Sequence, residues 1–473
     1  MKKTICLSFL LLINISAFAQ EIINSIPLEL KKSSTVFQIA DPKKNAVTLF
    51  VRDSVKIKAI YLNEKMQITD SITSKRPNPK TYTNIIGYNS SNGNTRLFWS
   101  SNNYETIFSQ VLNPNSRESL LKECKLVLKN QKVIQKFSQD ENFYILTVVE
   151  DSDIFKLYVF NSDGNYTEKT ITTEGFHFFT LDYKKSDLYT AFSESLLPFE
   201  APFSLQNITV ENQTSLIDAA KKRKCYLKDK QLVITIDTNI DFTQVILIDL
   251  QSFTATEKMI KKQHLVGDRK FLNSNSFYFD NKLYQLKTSS GIIYFTIKDL
   301  EDNILKEYFA NSTKPIGFKN SEFFEQGGSL RGKRTLASSP LFILKVNSLS
   351  LGLSCYKTGE NTFITFGGVS ELKQSADLTT INEFGLTEDI VFSTSMEDFT
   401  SSSNRRVVKT EGLFDSTGNR IKGKLLPLAS DKITTFFDKN STISSQILFK
   451  LDAYYLGYYD SKTKEYIFRK FED

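Results

Sequence analysis

Apolar residues gather along the chain in short runs of strand length, divided by polar clusters, and helical spacing is rare. Phe143 to Val149 (FYILTVV), Phe155 to Phe160 (FKLYVF), Leu232 to Ile236 (LVITI), Val245 to Ile248 (VILI), Ile292 to Phe295 (IIYF) and Ile447 to Leu451 (ILFKL) are examples. β-Branched and aromatic residues suit a pleated, half-buried surface, so each run predicts a strand. The clusters between them include Asn92-Gly93, Asp163-Gly164, Ser290-Gly291 and Thr417-Gly418-Asn419. Gly and Asn tolerate the positive φ that tight hairpins need, so these predict turns. Helices are expected only as connectors, at Asn115 to Leu128, opened by Ser116, and at Ser215 to Lys222.

A weak repeat appears when each apolar run is followed through a polar turn into a strand rich in Thr, Glu and Lys. It starts at Ile60 (IYLNEKMQI), Phe98 (FWSSNNYETIF), Phe160 (FNSDGNYTEKTI), Ile248 (IDLQSFTATEKMI), Ile297 (IKDLEDNILKEYF), Leu413 (LFDSTGNRIKG) and Gly457 (GYYDSKTKEYIF). The offsets are 38, 62, 88, 49, 116 and 44 residues. Three lie near the roughly 40–50 residues of a four-stranded propeller blade, and 88 is about twice that. The layout resembles secreted β-propeller proteins as a broad class, without a diagnostic motif. It predicts an all-β fold, a single propeller of about seven blades, six or eight being allowed. Its ring is closed by pairing a strand between Ile22 and Val51, with Thr35 to Ile39 on offer, to the segment Ile447 to Phe471. The offsets of 62 and 116 fit the irregular hairpins of any large antiparallel protein, and stacked β-sandwich domains are the main alternative fold. One Trp99 excludes blades that need a Trp each, and the pairs Gly327-Gly328 and Gly367-Gly368 are too few for a Gly-Gly in every blade.

The start of the chain changes the setting. Lys2 and Lys3, the apolar stretch Ile5 to Ile13, and Ser16-Ala17-Phe18-Ala19 before Gln20 form the three parts of a cleavable export signal. Residues 1–19 are therefore expected to be a signal peptide, and residues 20–473 a single propeller domain. The expected location is the periplasm, the cell surface or the medium, of a Gram-negative bacterium. No later segment approaches a membrane span. Loss of Lys2 and Lys3 takes the formal charge from +7 to +5, far below the concentrated basic face that nucleic acid needs. Cys124, Cys225 and Cys355 are too widely spaced for a metal knuckle or a redox pair, and are expected as buried thiols, with one disulfide the alternative.

Candidate chemistry is sparse. Gly327 to Arg334 (GGSLRGKR) has the glycine and lysine spacing of a phosphate-binding loop, but Arg334 stands where a Ser or Thr must hold magnesium. It predicts a basic loop in which Arg331, Lys333 and Arg334 could touch an anionic partner. Lys221-Lys222-Arg223-Lys224 predicts a solvated connector. His177 is expected half-buried on a strand and His264 in a loop; two histidines nearly exclude a multi-histidine metal site. Glu150-Asp151-Ser152-Asp153 and Asp299 to Asp302 read as turns, the first with oxygens that could approach calcium. Asp53-Ser54-Val55, Asp70-Ser71-Ile72 and Asp415-Ser416-Thr417 resemble acceptors of bacterial O-glycosylation.

No catalytic residue, cofactor site or metal site can be assigned. The expectation is a non-enzymatic binding or scaffold protein engaging a protein or glycan, with no nucleic acid partner. The alternatives are a carbohydrate-active enzyme using paired carboxylates in a propeller channel, and a structural envelope component.

Overall fold

The computed structural model describes residues 21–31, 33–91, 93–114, 121–266, 271–327, 332–371, 405–440 and 443–473. The expected signal peptide, residues 1–19, lies outside them, as do residues 328–331 of the basic loop. The fold is all-β, with 52% strand and 8% helix. Seven sheets of four or five strands, and one two-stranded ribbon, account for the strands described.

Compactness divides the protein into two units. One holds the described residues up to Lys75 together with Pro427–Asp473; the other is Arg76–Leu426. In the first unit, the strands Thr35–Asp41, Ala46–Arg52, Lys56–Leu62 and Ile68–Lys75 run up and down as one sheet. The last sheet is built from Ser444–Lys450, Tyr454–Asp460 and Glu465–Phe471, and its fourth strand is Glu21–Pro27 from the other end of the chain. Ser25 pairs with Ile467 and Ile26 with Tyr466, antiparallel. The expected pairing of the two ends is therefore present. The strand that makes it is Glu21–Pro27, whereas Thr35–Asp41 opens the neighbouring sheet. Gln38 ties these two sheets together by donating from Nε2 to the carbonyl of Leu448, 2.9 Å away.

The second unit carries five sheets in chain order. The second and third sheets of the chain begin with Asn84–Ser91 and Gln131–Gln139, and the fourth with Arg223–Lys228 behind the short parallel strand Gln206–Ile208. The fifth begins with Asn273–Phe279. The sixth joins Ser350–Thr358, Asn361–Val369 and Val407–Phe414 to Phe324–Gln326 and Lys333–Thr335.

Burial grades across each sheet and explains the repeat. In the third sheet the strand Asn142–Val149 is buried on both faces and reads as a continuous apolar run, while the fourth strand, Tyr166–Thr172 (YTEKTIT), is mostly exposed. A strand covered on both sides has no reason to alternate; one at the rim does. The sheets approach so closely that a methyl on Gly87 would lie 2.0 Å from the ring of Phe143. Gly367 is equally constrained, since its Cβ would meet the carbonyl of Val408 at 2.2 Å.

Among the described residues four helices connect these sheets: α1 (Leu188–Ser193), α2 (Leu216–Ala220), α3 (Ser339–Asn347) and α4 (Ala429–Lys439). α2 falls where expected, its amide at Asp218 capped by the Ser215 hydroxyl. The helix expected at Asn115 to Leu128 is not formed in its described part: Leu121–Lys125 is a strand paired with Thr106–Leu112. Its alternating exposure lets the Cys124 thiol reach the carbonyl of Ile107, a cross-strand preference that outweighs local propensity. Among the described residues no helix is long and apolar enough to cross a membrane.

Candidate functional site: a cationic face around Glu325

The three-residue strand Phe324–Gln326 lies between Lys333–Thr335 and Val407–Phe414, which sets Glu325 opposite Arg334 on one side and Val408 on the other. Arg334 brings Nη2 to 2.7 Å and Nε to 2.8 Å of Glu325 Oε2. Arg406, one residue before the next strand, places Nε 2.6 Å from Oε1, and Lys345 from the last turn of α3 adds Nζ at 3.2 Å. Burial works to raise the Glu325 carboxyl, and the hydrogen bonds and charge of Arg334, Lys345 and Arg406 outweigh it, holding the group below its ordinary range. One negative charge thus stands against three positive ones.

Their exposures are unequal in a telling way. The Glu325 side chain is 1% exposed, whereas Arg334 is 54% exposed, Arg406 37% and Lys345 17%. The carboxylate is an internal post that fixes three cations at the surface. Lys333 sits over the Phe324 ring at 3.4 Å, and Arg405 over Phe199 at 4.8 Å, so aromatic faces anchor two more. Side chains held this way have already lost much of the rotamer freedom that binding would cost, and guanidinium groups match the geometry of carboxylate, sulfate and phosphate. Of the basic loop singled out in the sequence, Lys333 and Arg334 belong to this face. Glu325 is not among the residues the sequence singles out, and neither are Lys345, Arg405 and Arg406, which come from more distant parts of the chain.

The run Lys221-Lys222-Arg223-Lys224 is not a solvated connector. Arg223 and Lys224 are fully buried, and only the first two residues reach solvent. Arg223 donates to Glu200 Oε1 (3.1 Å) and to the carbonyls of Phe192 (2.7 Å), Glu194 and Ala201 (both 3.1 Å). It thereby ties down the irregular segment Ser193 to Thr214. Beside it, Asp237 is completely enclosed, with Lys262 Nζ at 2.9 Å and Lys224 Nζ at 3.5 Å, and further bonds from Thr243 and Ser276. Burial pushes the Asp237 carboxyl upward, but Lys262 and Lys224 outweigh that and hold it well below the usual carboxylate range. The spacing of charges along the run looked solvated because its partners, Glu200 and Asp237, are brought in only by the fold.

The remaining candidates scatter. His177 is exposed rather than half-buried, its Nδ1 2.7 Å from Glu257 Oε2, because the glutamate also captures its backbone amide and turns it outward. His264 is an exposed loop residue as expected. Asp299 accepts from the amides of Glu301 and Asn303, a turn device, whereas Asp153 accepts from the amide of Leu188 and so holds the start of α1. Asp53 does likewise with the amides of Lys56 and Val55, which hold its pKa down at about 2. Ser54 and Ser416 are exposed in loops, and Ser71 is on a strand. The buried carboxylates described here, Asp53, Glu200, Asp237 and Glu325, each face cations.

Cys124, Cys225 and Cys355 are free thiols, the last two buried and Cys124 half-buried. Burial pushes Cys124 up to about 11, Cys225 up to about 12, and Cys355 far above its ordinary value. With the thiolate as the reactive form, native protein at pH 7 should be alkylated slowly and first at Cys124, and all three thiols should react at once in denaturant. Rapid native labelling of Cys225 or Cys355, read by peptide mass, would contradict this packing.

No protein-family model matches the chain, and no curated protein matches it in sequence. Solved structures give low similarity. A dihydro-heme d1 dehydrogenase, NirN, is 12% identical over 62% of this chain at a TM-score of 0.27, and the chain spans about half (51%) of its length. A candidate exported protein of Bacteroides fragilis is 10% identical, covering 84% of this chain and 96% of that one, TM-score 0.26. An uncharacterised protein of Listeria monocytogenes is 11% identical, covering 72% and 82%, TM-score 0.29.

Proposed function

We propose that this is an exported, non-enzymatic binding protein. In this reading the seven sheets are the blades of one β-propeller, and the face around Glu325 holds a partner bearing carboxylate or sulfate groups, on a glycan or a protein. The observation that carries the binding reading is the arrangement at Glu325: a nearly inaccessible carboxylate pinning Arg334, Arg406 and Lys345, with a net excess of two positive charges facing outward. Such a site costs little further ordering when an anion arrives. The propeller reading is supported by seven sheets that follow one another in chain order and by the last of them being completed from the first strand. A catalytic pair of carboxylates would need two acids with cooperating protons, and the buried acids described above are each neutralised by cations instead. The expected setting is the periplasm or the cell surface.

The test is retention on a sulfated or carboxylated polysaccharide matrix at low salt. Wild-type protein should be retained and released by salt, as screened ionic contacts require. The double variant Arg334→Gln, Arg406→Gln should elute at clearly lower salt, with unchanged circular dichroism. Equal elution of the two proteins, or no retention of either, would remove this reading.

A further inference from the structure

Asp-Ser pairs occur in the chain at Asp53, Asp70, Asp151, Asp415 and Asp460, and the fold presents them differently. Asp53-Ser54-Val55 turns the corner between the strands Ala46–Arg52 and Lys56–Leu62. The Asp53 carboxylate is buried against Lys31 and accepts from the amides of Val55 and Lys56, both at 2.8 Å. With the carboxylate folded inward, the next two side chains point outward. Ser54 is exposed, and Val55 is 61% exposed at a tip where a polar residue would be usual. Asp415-Ser416-Thr417 leaves the strand Val407–Phe414 in the same manner. Asp415 accepts from the amides of Thr417 (2.9 Å) and Asn419 (2.8 Å), and the Ser416 carbonyl is held by Lys282 Nζ at 2.8 Å. Ser416 and Thr417 are both exposed, but the Thr417 hydroxyl is spent on Asp415 at 2.7 Å. Among the described residues the hydroxyls of Ser54 and Ser416 have no such partner.

The other three pairs lack part of this arrangement. Ser71 is half-buried within the strand Ile68–Lys75, and the residue after it, Ile72, is buried. Ser152 is half-buried, donates to the carbonyl of Val149 at 3.0 Å, and is followed by an acid, Asp153. Asp460-Ser461-Lys462 has the turn, with Asp460 accepting from the Lys462 amide at 2.8 Å, and has the exposed serine. It differs from the first two tips in carrying a cation in third place.

We propose that Ser54 and Ser416 are sites of O-glycosylation, acquired after export from a donor in which a sugar is joined through its anomeric carbon to a lipid diphosphate. A hydroxyl that enters a transferase must stand clear of the fold, and a hairpin tip supplies that. The serine Oγ bonds to the anomeric carbon as the bond from that carbon to the diphosphate oxygen breaks. The hydroxyl proton passes to a base of the transferase, and the lipid diphosphate leaves with the electron pair, so nothing is oxidised or reduced. The uncharged third residue, Val55 or Thr417, fits an apolar subsite of that enzyme, which Lys462 could enter only by shedding the hydration of its charge. Sugar at these tips adds bulk and solvation without disturbing the strands. The proposal rests on the exported setting and is independent of the face around Glu325.

The test is a glycopeptide map of the protein purified from the envelope or medium of the bacterium that makes it, with a fragmentation that leaves the sugar on its residue. Ser54 and Ser416 should carry sugar, and Ser71, Ser152 and Ser461 should be bare. Ser54→Ala and Ser416→Ala should each lower the intact mass by one glycan, with unchanged circular dichroism. Lys462→Val should gain sugar at Ser461; a bare Ser461 in that variant would overturn the selection argued from the third residue. Ser54 or Ser416 bare in a chain that begins at Gln20 would overturn the proposal and leave export standing. Bare serines in a chain that still begins at Met1 would overturn both. Sugar on Ser71, or on Ser461 of the wild-type protein, would overturn it equally, because neither the turn nor the third residue would then select the site.

Discussion

Replacing Arg223 with methionine should cost the protein about 3–5 kcal/mol of stability, the usual penalty for stranding one half of a buried ion pair. The guanidinium is fully enclosed, pairs with a carboxylate that is 1% exposed, and donates to the backbone carbonyls of Phe192 and Ala201. Removing it leaves the Glu200 charge buried without its cation, held only by the amides of residues 222 and 223, and frees the segment between α1 and α2. Chemical denaturation of the second unit should show a lower midpoint. The double variant Arg223→Met, Glu200→Met should recover part of the loss, because two matched apolar groups remove the stranded charge. A single variant that denatures with the wild type would mean that the pair adds nothing to the fold.

Deletion of Glu465–Asp473 should be more severe and abolish soluble folding. The strand Glu465–Phe471 pairs with Tyr454–Asp460 on one side and Glu21–Pro27 on the other, so its loss opens two strand edges at once. It also removes the buried rings of Tyr466, Phe468 and Phe471, and the Asp473 carboxylate that accepts from the amide of Ala429 at the start of α4. Buried aromatic truncations cost about 3–5 kcal/mol each. Three of them match the ~5–15 kcal/mol that holds a domain together. The milder Phe468→Ala should still fold, with a lower Tm. Equal melting of truncated and full-length protein would show that the last strand is dispensable.

The strands were legible in the sequence because burial on both faces writes itself as an unbroken apolar run, as at Asn142–Val149. The repeat was legible too, but its spacing misled for physical reasons. At Ile60, Phe160 and Ile297 the pattern falls on the third and fourth strands of a sheet and at Ile248 on the fourth and fifth, whereas at Phe98 and Gly457 it falls on the second and third. The last sheet has no fourth strand of its own to follow, since Glu21–Pro27 supplies it. The offset of 88 is not two blades but one sheet preceded by the insert that Arg223 ties down.

Of the candidate site, only Lys333 and Arg334 were visible beforehand. One signal was available: Phe-Glu-Gln and Lys-Arg-Thr are complementary three-residue segments, and hairpin register sets Glu325 against Arg334. Lys345 and Arg406 could not be read, because a salt bridge between distant elements leaves no periodicity.

The pairing of Glu21–Pro27 with Glu465–Phe471 also bears on how the protein reaches its folded state. Ser25 and Glu465, in hydrogen-bond contact, are 440 positions apart, so closing that sheet demands a loop spanning nearly the whole sequence. Non-local pairings are slow because the entropy of closure is lost before any contact compensates for it. The seventh sheet should therefore be completed last, after the sheets made of neighbouring strands. Until then its open edge accepts any copy of residues 21–27, which makes strand exchange between two molecules the characteristic failure at high concentration during refolding.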